Sequence, residues 1–407
     1  MRFRFTSFVR VPLCLLAAVS MVFNGCQPSS PDPRTEAANP AQIVPIDGSD
    51  LRVSGPYQHG NLSVFLVHGK NTTSEEFITL DEGLKSGTVV LSEQGTTAGN
   101  TAPQVLIDGI SNDPPAPVQA SPPDEVFQDD LSQIIESSFA QNIAGSGATV
   151  NTLTVENTSD RPVYIQAGDI VKGGKQDRTI AVDIVIAPKS GKVPLEAFCV
   201  EQGRWSNRSG DTAEIGLFLT NSFAVNSKSL KLAVRHSKSQ SLVWDNVAKI
   251  QTDLSGNVAT LVNDAGSPTS LQLALENETL KESVESYRED LEGIVEKHDD
   301  VIGYAFAING RLNSADVYAS NKLFTKLWPK LLNASTTEAI AELKGEKGEK
   351  ACVVADVIGC FKDADQGKAT TKDLVNGVQN VSRESDKNFL FETRLGDVSL
   401  RKNYLTK

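Results

Sequence analysis

The sequence predicts an α+β protein: a β-rich core sheet flanked by amphipathic helices, with a smaller C-terminal extension. Three observations carry this reading. Runs such as Leu62–Val67, Thr152–Asn157 and Val301–Ile308 have the short apolar or alternating character of strands. Turn chemistry punctuates them at Asn157–Pro162, Ser190-Gly191, Asn309-Gly310 and Gly396-Asp397. Past Asn221 the apolar residues recur instead at steps of three and four, the spacing of helices with one buried face.

The chain has 407 residues, with 39 Lys+Arg against 51 Asp+Glu and a net charge of −12. Apolar residues make up 39% and charged residues 22%, a balance typical of folded soluble chains. The acidic excess argues against nucleic acid as a partner, because phosphate binding needs a basic face to displace counterions. It disfavours a polybasic membrane contact for the same reason.

Residues 1–25 read as an export signal. Arg2, Arg4 and Arg10 form a positive start with no acid, and Val11–Phe23 is apolar but too short to span a bilayer as a stable helix. The sequence Phe23-Asn24-Gly25-Cys26 resembles a bacterial lipobox, with Phe23 where Leu is usual. Cys26 is then the lipidated first residue of a mature lipoprotein held to the membrane of the bacterial envelope; plain secretion is the alternative. Residues 26–50, rich in Pro, Ser and Ala, read as a tether. Export leads to an oxidising space, where Cys352 and Cys360 either pair or remain two buried thiols.

The main domain is expected over 51–335. After the strand at 62–67 comes a short helix near Phe77–Leu84 with Thr79 as N-cap, then a strand at Val89–Leu91. From Ser86 to Asp160 there is no Lys, Arg or His, and about 95–147 reads as an acidic surface insertion with one amphipathic helix near Val126–Phe139. Strands follow at 152–157 and 163–166, then a Gly-rich loop at 168–174, one strand over Thr179–Ile186 and another over Val193–Val200. Helices are expected at Lys228–Arg235, at Ser241–Thr252 and as one long element over 269–297. After the strand at 301–308, a helix carries Leu323, Phe324, Leu327, Trp328 and Leu331 on one face, and Pro329 should kink or split it. Residues 336–407 form the extension, ending in a hairpin over Phe389–Tyr404.

Two segments hold the chemistry. The run Lys172, Gly173, Gly174, Lys175, Gln176, Asp177, Arg178 looks like a phosphate loop, but no Lys-Ser/Thr follows the glycines at the required spacing and a strand rather than a helix comes next. A different anion cradle stays open, as does a plain turn with charged edges. The second run, Cys199-Val200-Glu201-Gln202-Gly203-Arg204-Trp205, ends a neighbouring strand. Arg204 can fork onto a carboxylate or phosphate and Trp205 can stack on a ring; a buried Arg–Glu pair is the alternative. If the two runs meet, Lys172, Lys175, Arg178 and Arg204 supply charge to a small anionic ligand while Gln176 and Gln202 supply hydrogen bonds. A hydrolase or transferase would instead use Glu201 or Asp177 as base, or Cys199 as nucleophile, without a histidine nearby in sequence. An interaction protein of the envelope is the third reading.

Metal and cofactor motifs are not expected. No Cys-x-x-Cys occurs and the four histidines are scattered. His298-Asp299-Asp300 looks like a ligand run, but neighbours on a helix do not face one another. The run from Asp363 fails the spacing of a calcium loop.

The phrasing of several of these segments resembles the ARG and rhodanese-phosphatase-superfamily-associated protein family. The residues that carry the likeness are Asn157–Val163, AGDIVKGGKQDR at 167–178, FCVEQGRW at 198–205, Val243–Ala248, AINGR at 307–311 and Leu327–Leu332. The resemblance covers roughly 55–335. It implies a link to ADP-ribose or phosphate metabolism and brings no catalytic mechanism with it.

Overall fold

The computed structural model describes residues 42–93, 152–204, 206, 208, 217–224, 227–345, 348 and 350–407. The signal, Cys26, the helix expected near 126–139, the acidic insertion and Trp205 lie outside the described residues.

The elements run β1 (Val44–Pro45), β2 (Arg52–His59), β3 (Leu62–His68), β4 (Ile78–Thr79), α1 (Leu80–Ser86), β5 (Val89–Glu93), β6 (Thr152–Asn157), β7 (Val163–Ile165), β8 (Asp169–Gly173), β9 (Arg178–Ile180), β10 (Ile184–Ile186), β11 (Val193–Cys199) and β12 (Phe218–Ala224). They continue with α2 (Lys228–Leu232) and a π-turn to Ser237, α3 (Gln240–Asn257), α4 (Leu271–Leu275), α5 (Glu278–Leu291), β13 (Val301–Ile308), β14 (Arg311–Tyr318), α6 (Asn321–Ala341), α7 (Val354–Asp365), β15 (Lys368–Asp373), β16 (Val378–Glu384), β17 (Asn388–Leu395) and β18 (Val398–Thr406).

Three sheets result. A nine-stranded antiparallel sheet has the order β1-β2-β3-β13-β14-β18-β17-β16-β15, a six-stranded one β12-β8-β9-β11-β6-β5, and a small one β10-β7-β4. One face of the large sheet, with Leu62, Val64, Leu66, Tyr304 and Phe306, packs on α3, α5 and α6. Its other face, with Val53, Phe65, Val67, Ala305 and Val317, is covered by Val357, Phe361 and Ala364 of α7. A third core fills the space among the strands of the two smaller sheets, from Ile78 and Leu91 to Ile165, Ile186 and Leu195. Burying both faces explains why β13 reads as a continuous apolar run instead of an alternating one.

Thr79 caps α1 as expected: its side chain accepts from Glu82 N–H, and Glu82 accepts from Thr79 N–H in return. Asn157 organises its turn by holding the Ser159 N–H, the Arg161 carbonyl and the Ala187 carbonyl.

Several expectations are corrected. The strand expected over 179–186 is two strands in different sheets, because the chain between them breaks to bury Asp183 against Arg235 and Arg401. The Gly-rich loop is mostly β8; a Cβ on Gly173 would sit 2.5 Å from the Leu217 carbonyl oxygen, so glycine there lets β12 pair alongside. The long helix over 269–297 is cut where Asn277 turns out of helical geometry and caps α5. Pro329 does not split α6, which runs as one element past it.

The boundary at 335 falls inside α6, and β15–β18 are not an appendage: β18 pairs with β14 and completes the large sheet. Arg401 of β18 anchors this union, donating to Asp183 at 2.7 Å and to Asp316 at 2.8 Å. At the other end, the supposed tether already belongs to the body by Val44, which pairs with Val53, and Ile46 is buried. Cys199, Cys352 and Cys360 are free, buried thiols.

Candidate functional site

The two sequence runs do meet. β8 and β9 form a hairpin, and β9 pairs with β11 so that Arg178 lies opposite Cys199. The turn at 174–177 and the exit of β11 are therefore at the same sheet end.

What forms there is an ionic junction. Glu201 accepts a fork from Arg204, Nε to Oε1 at 2.6 Å and Nη2 to Oε2 at 2.7 Å. The Asp177 N–H donates to Glu201 at 2.9 Å, and the Asp177 carboxylate accepts from Arg208 at 2.7 Å, Ser270 at 2.7 Å and Gly173 N–H at 3.0 Å. Ser267 donates to Glu201, Trp244 Nε1 donates to the Glu201 carbonyl, and Arg204 Nη1 donates to the Gly174 carbonyl at 2.8 Å. Asp177 and Glu201 are both completely buried. Burial and the neighbouring Glu201 charge raise the Asp177 carboxyl despite Arg208. Burial acts on Glu201 as well, but the bonds from Arg204, Ser267 and Asp177 N–H outweigh it and hold that carboxyl below its usual range.

The remaining candidates are also engaged or closed off. Lys172 pairs with Glu276 at 2.9 Å. Arg178 is buried and donates to the Gln176 carbonyl at 2.8 Å, with Glu93 at 3.9 Å. Lys175 is exposed, and its N–H donates to Glu93. Gln202 is exposed, its N–H donating to Thr269 Oγ1. Gln176 is buried with neither end of its amide hydrogen-bonded among the described residues. Cys199 is sealed, and burial pushes its thiol up, away from the thiolate a nucleophile needs. An anion entering here would have to displace a carboxylate from its guanidinium. The arrangement is that of the buried Arg–Glu alternative.

A second region was not legible in the sequence. A cleft of about 690 Å³, within the size range of ligand sites, opens between the face of β15–β17 and the segment around Ala181, Val182 and the π-turn. Its lining carries five cationic side chains, Arg235, Lys238, Lys368, Lys372 and Lys407, against two acids, Glu384 and Asp386; Arg383 and Glu392, opposite Leu390 and Val381, alternate to the α7 face. Register explains half of the wall: Lys368, Thr370 and Lys372 alternate along β15, opposite Glu384, Ser382 and Asn380 of β16. Arg235 pairs with Asp183 over the Phe391 ring, Lys407 pairs with Glu384 over Phe389, and Lys372 and Lys238 reach Glu196. Lys368 and Arg383 make no ion pair among the described residues. The only sequence hint was the lysine alternation in β15, inside a segment that reads as an extension.

Fold and sites together define a class: an α+β protein with a sealed ionic junction and an open basic cleft. The chain belongs to the ARG and Rhodanese-Phosphatase-superfamily-associated Protein domain family, whose model matches residues 50–397. That span takes in the strands that bear the cleft, well beyond 335. No curated protein and no solved structure matches the chain. The family description associates it with the rhodanese-phosphatase superfamily, a loose link to phosphate metabolism.

Proposed function

We propose that this protein binds a small, multiply charged anion of the phosphate type in the basic cleft, and that it does so outside the cytoplasm, anchored to the bacterial envelope through lipid on Cys26. The observation that carries the binding is the excess of cationic over acidic side chains around a ligand-sized space in a chain of net charge −12. Low-dielectric walls focus such a local field, so a small anion gains more there than at an exposed lysine. Lys368 is the cleft cation with charge to spare, Lys372 and Lys407 line the same cleft, and the Thr370 and Ser382 hydroxyls stand on the same face as Lys368. The family link to phosphate metabolism supports the choice of anion. The positive start, apolar stretch and Gly25-Cys26 junction support the anchor.

Thermal melts test the binding. Pyrophosphate or ADP-ribose at ten times its dissociation constant should stabilise the wild type by about 1.4 kcal/mol. Lys368→Glu should abolish the shift; a shift that persists unchanged places the ligand elsewhere. Metabolic labelling with a fatty acid tests the anchor, and equal label on Cys26→Ser would end that part of the proposal.

A further inference from the structure

His68, His298 and Asp300 come together at the end of the large sheet opposite no other described function. His68 closes β3 and lies in register with Arg52 on one side and Val301 on the other. The three residues before Val301 are not helical, contrary to the sequence reading: His298 is extended and the next two form a turn, with the Gly69 N–H donating to the Asp300 carbonyl. That turn folds His298 and Asp300 over the buried His68.

One ligand atom from each of the three side chains lies within 4.8 Å of the others. His68 Nδ1 is 2.8 Å from Asp300 Oδ1, and the two imidazole rings meet edge to face with centroids 5.1 Å apart. His68 is fully buried while His298 and Asp300 are partly exposed, so the group has a closed floor and an open mouth. Neither ring nitrogen of His298 has a hydrogen-bond partner among the described residues. On its far side, His68 Nε2 is 2.8 Å from Ser54 Oγ. Ser54, His68 and Asp300 thus line up like a hydrolytic triad, but Ser54 is completely buried and no substrate can reach its hydroxyl.

We infer that His68, His298 and Asp300 are the ligands of a divalent transition-metal ion of the zinc type. Two imidazoles and a carboxylate form a borderline donor set that suits Zn²⁺ and disfavours Ca²⁺ or Mg²⁺, which take oxygen. Tetrahedral ligands about 2.0–2.2 Å from a zinc ion sit about 3.3 Å from one another. Small side-chain rotations reach that spacing, with the ion entering between His68 Nδ1 and Asp300 Oδ1. The surroundings match those of metal-bound histidines and carboxylates. With Nδ1 on the metal, the Nε2–H of His68 donates to Ser54 Oγ, which fixes tautomer and ring orientation. Arg52 holds the outer oxygen of Asp300 and leaves the inner one for the ion. Three protein ligands leave a fourth position open at the mouth for water or an anionic group.

Calorimetric titration of Zn²⁺ into the purified full-length chain, first stripped with a chelator, tests this. One equivalent should bind, unaffected by excess Mg²⁺ or Ca²⁺, and Co²⁺ should give the visible absorption of a tetrahedral site. His298→Ala and Asp300→Asn, both at the open mouth, should each weaken binding at least tenfold while the melting transition stays cooperative. Ser54→Ala should weaken it about 10- to 100-fold. His59→Ala, in the separate surface pair with Asp290, should change nothing. Absence of one-equivalent binding, or binding retained in both His298→Ala and Asp300→Asn, would overturn the assignment.

Discussion

At the junction, Arg204 and Arg208 lie within hydrogen-bond distance of Glu201 and Asp177, two carboxylates sealed from solvent. Across the cleft, Lys368 makes no ion pair among the described residues and stands on a strand that faces open space. The two regions use the same kinds of charged side chain. Desolvation separates them. A buried carboxylate must keep its guanidinium because the cost of a lone buried charge is several kcal/mol. An exposed cation carries no such obligation and can exchange water for a ligand. Charge matched inside the protein is therefore architecture, whereas charge left over at an opening is available for binding.

The largest expected effect strikes the junction. Arg204→Ala leaves Glu201 buried without its fork and should lower stability by about 3–5 kcal/mol in urea unfolding. A loss under about 1 kcal/mol would mean that the junction is far looser than its geometry.

Acid should probe the floor beneath the cleft next. Burial alone would raise the Asp183 carboxyl, but Arg401 and Arg235 hold it well below its ordinary 3.8. It therefore stays ionised in the folded state after the unfolded chain has taken up its proton. Its contribution is present above the unfolded value and is lost as the pH falls below about 4 towards the folded one, worth about 2–3 kcal/mol for a carboxyl held this way. Asp183→Asn should be less stable at neutral pH yet show a flatter acid limb; an unchanged limb would separate the floor from the ionic account.

A smaller effect belongs to the cleft itself. Lys368→Glu should alter the stability of the ligand-free protein by no more than about 0.5 kcal/mol, because it breaks no ion pair. The smallest concerns the thiols. Burial pushes Cys352 and Cys360 up to about 12. Neither should react with a thiol reagent at pH 8 until the chain unfolds; rapid labelling of the native protein would show that α7 opens.

Much of the fold was legible because local chemistry decided it. The Thr79 cap, the Asn157 turn, β13 and the Gly396-Asp397 hairpin each follow from a few neighbouring residues. What failed was what distance decides. Asp183 breaks a strand only because Arg401, far along the chain, demands a buried partner, and Gly173 is a strand residue only because β12 approaches it. The meeting of GGKQDR with EQGRW was expected only if the intervening hairpins are tight, with a buried Arg–Glu pair as the alternative to a binding site. Arg208, Ser267 and Ser270 were missed because they enter from segments without any motif. His68 and His298 looked scattered for the same reason: strand register, not spacing, brings them together.

The central claim is that an anion binds where charge is unmatched. Titration calorimetry with pyrophosphate on the wild type, Arg204→Lys and Lys368→Glu tests it most directly. Arg204→Lys keeps the junction's charge but loses its fork. The account predicts dissociation constants for the wild type and Arg204→Lys that agree within about threefold, and no measurable heat for Lys368→Glu. A wild type that takes up no anion, or binding lost in Arg204→Lys and kept in Lys368→Glu, would contradict it.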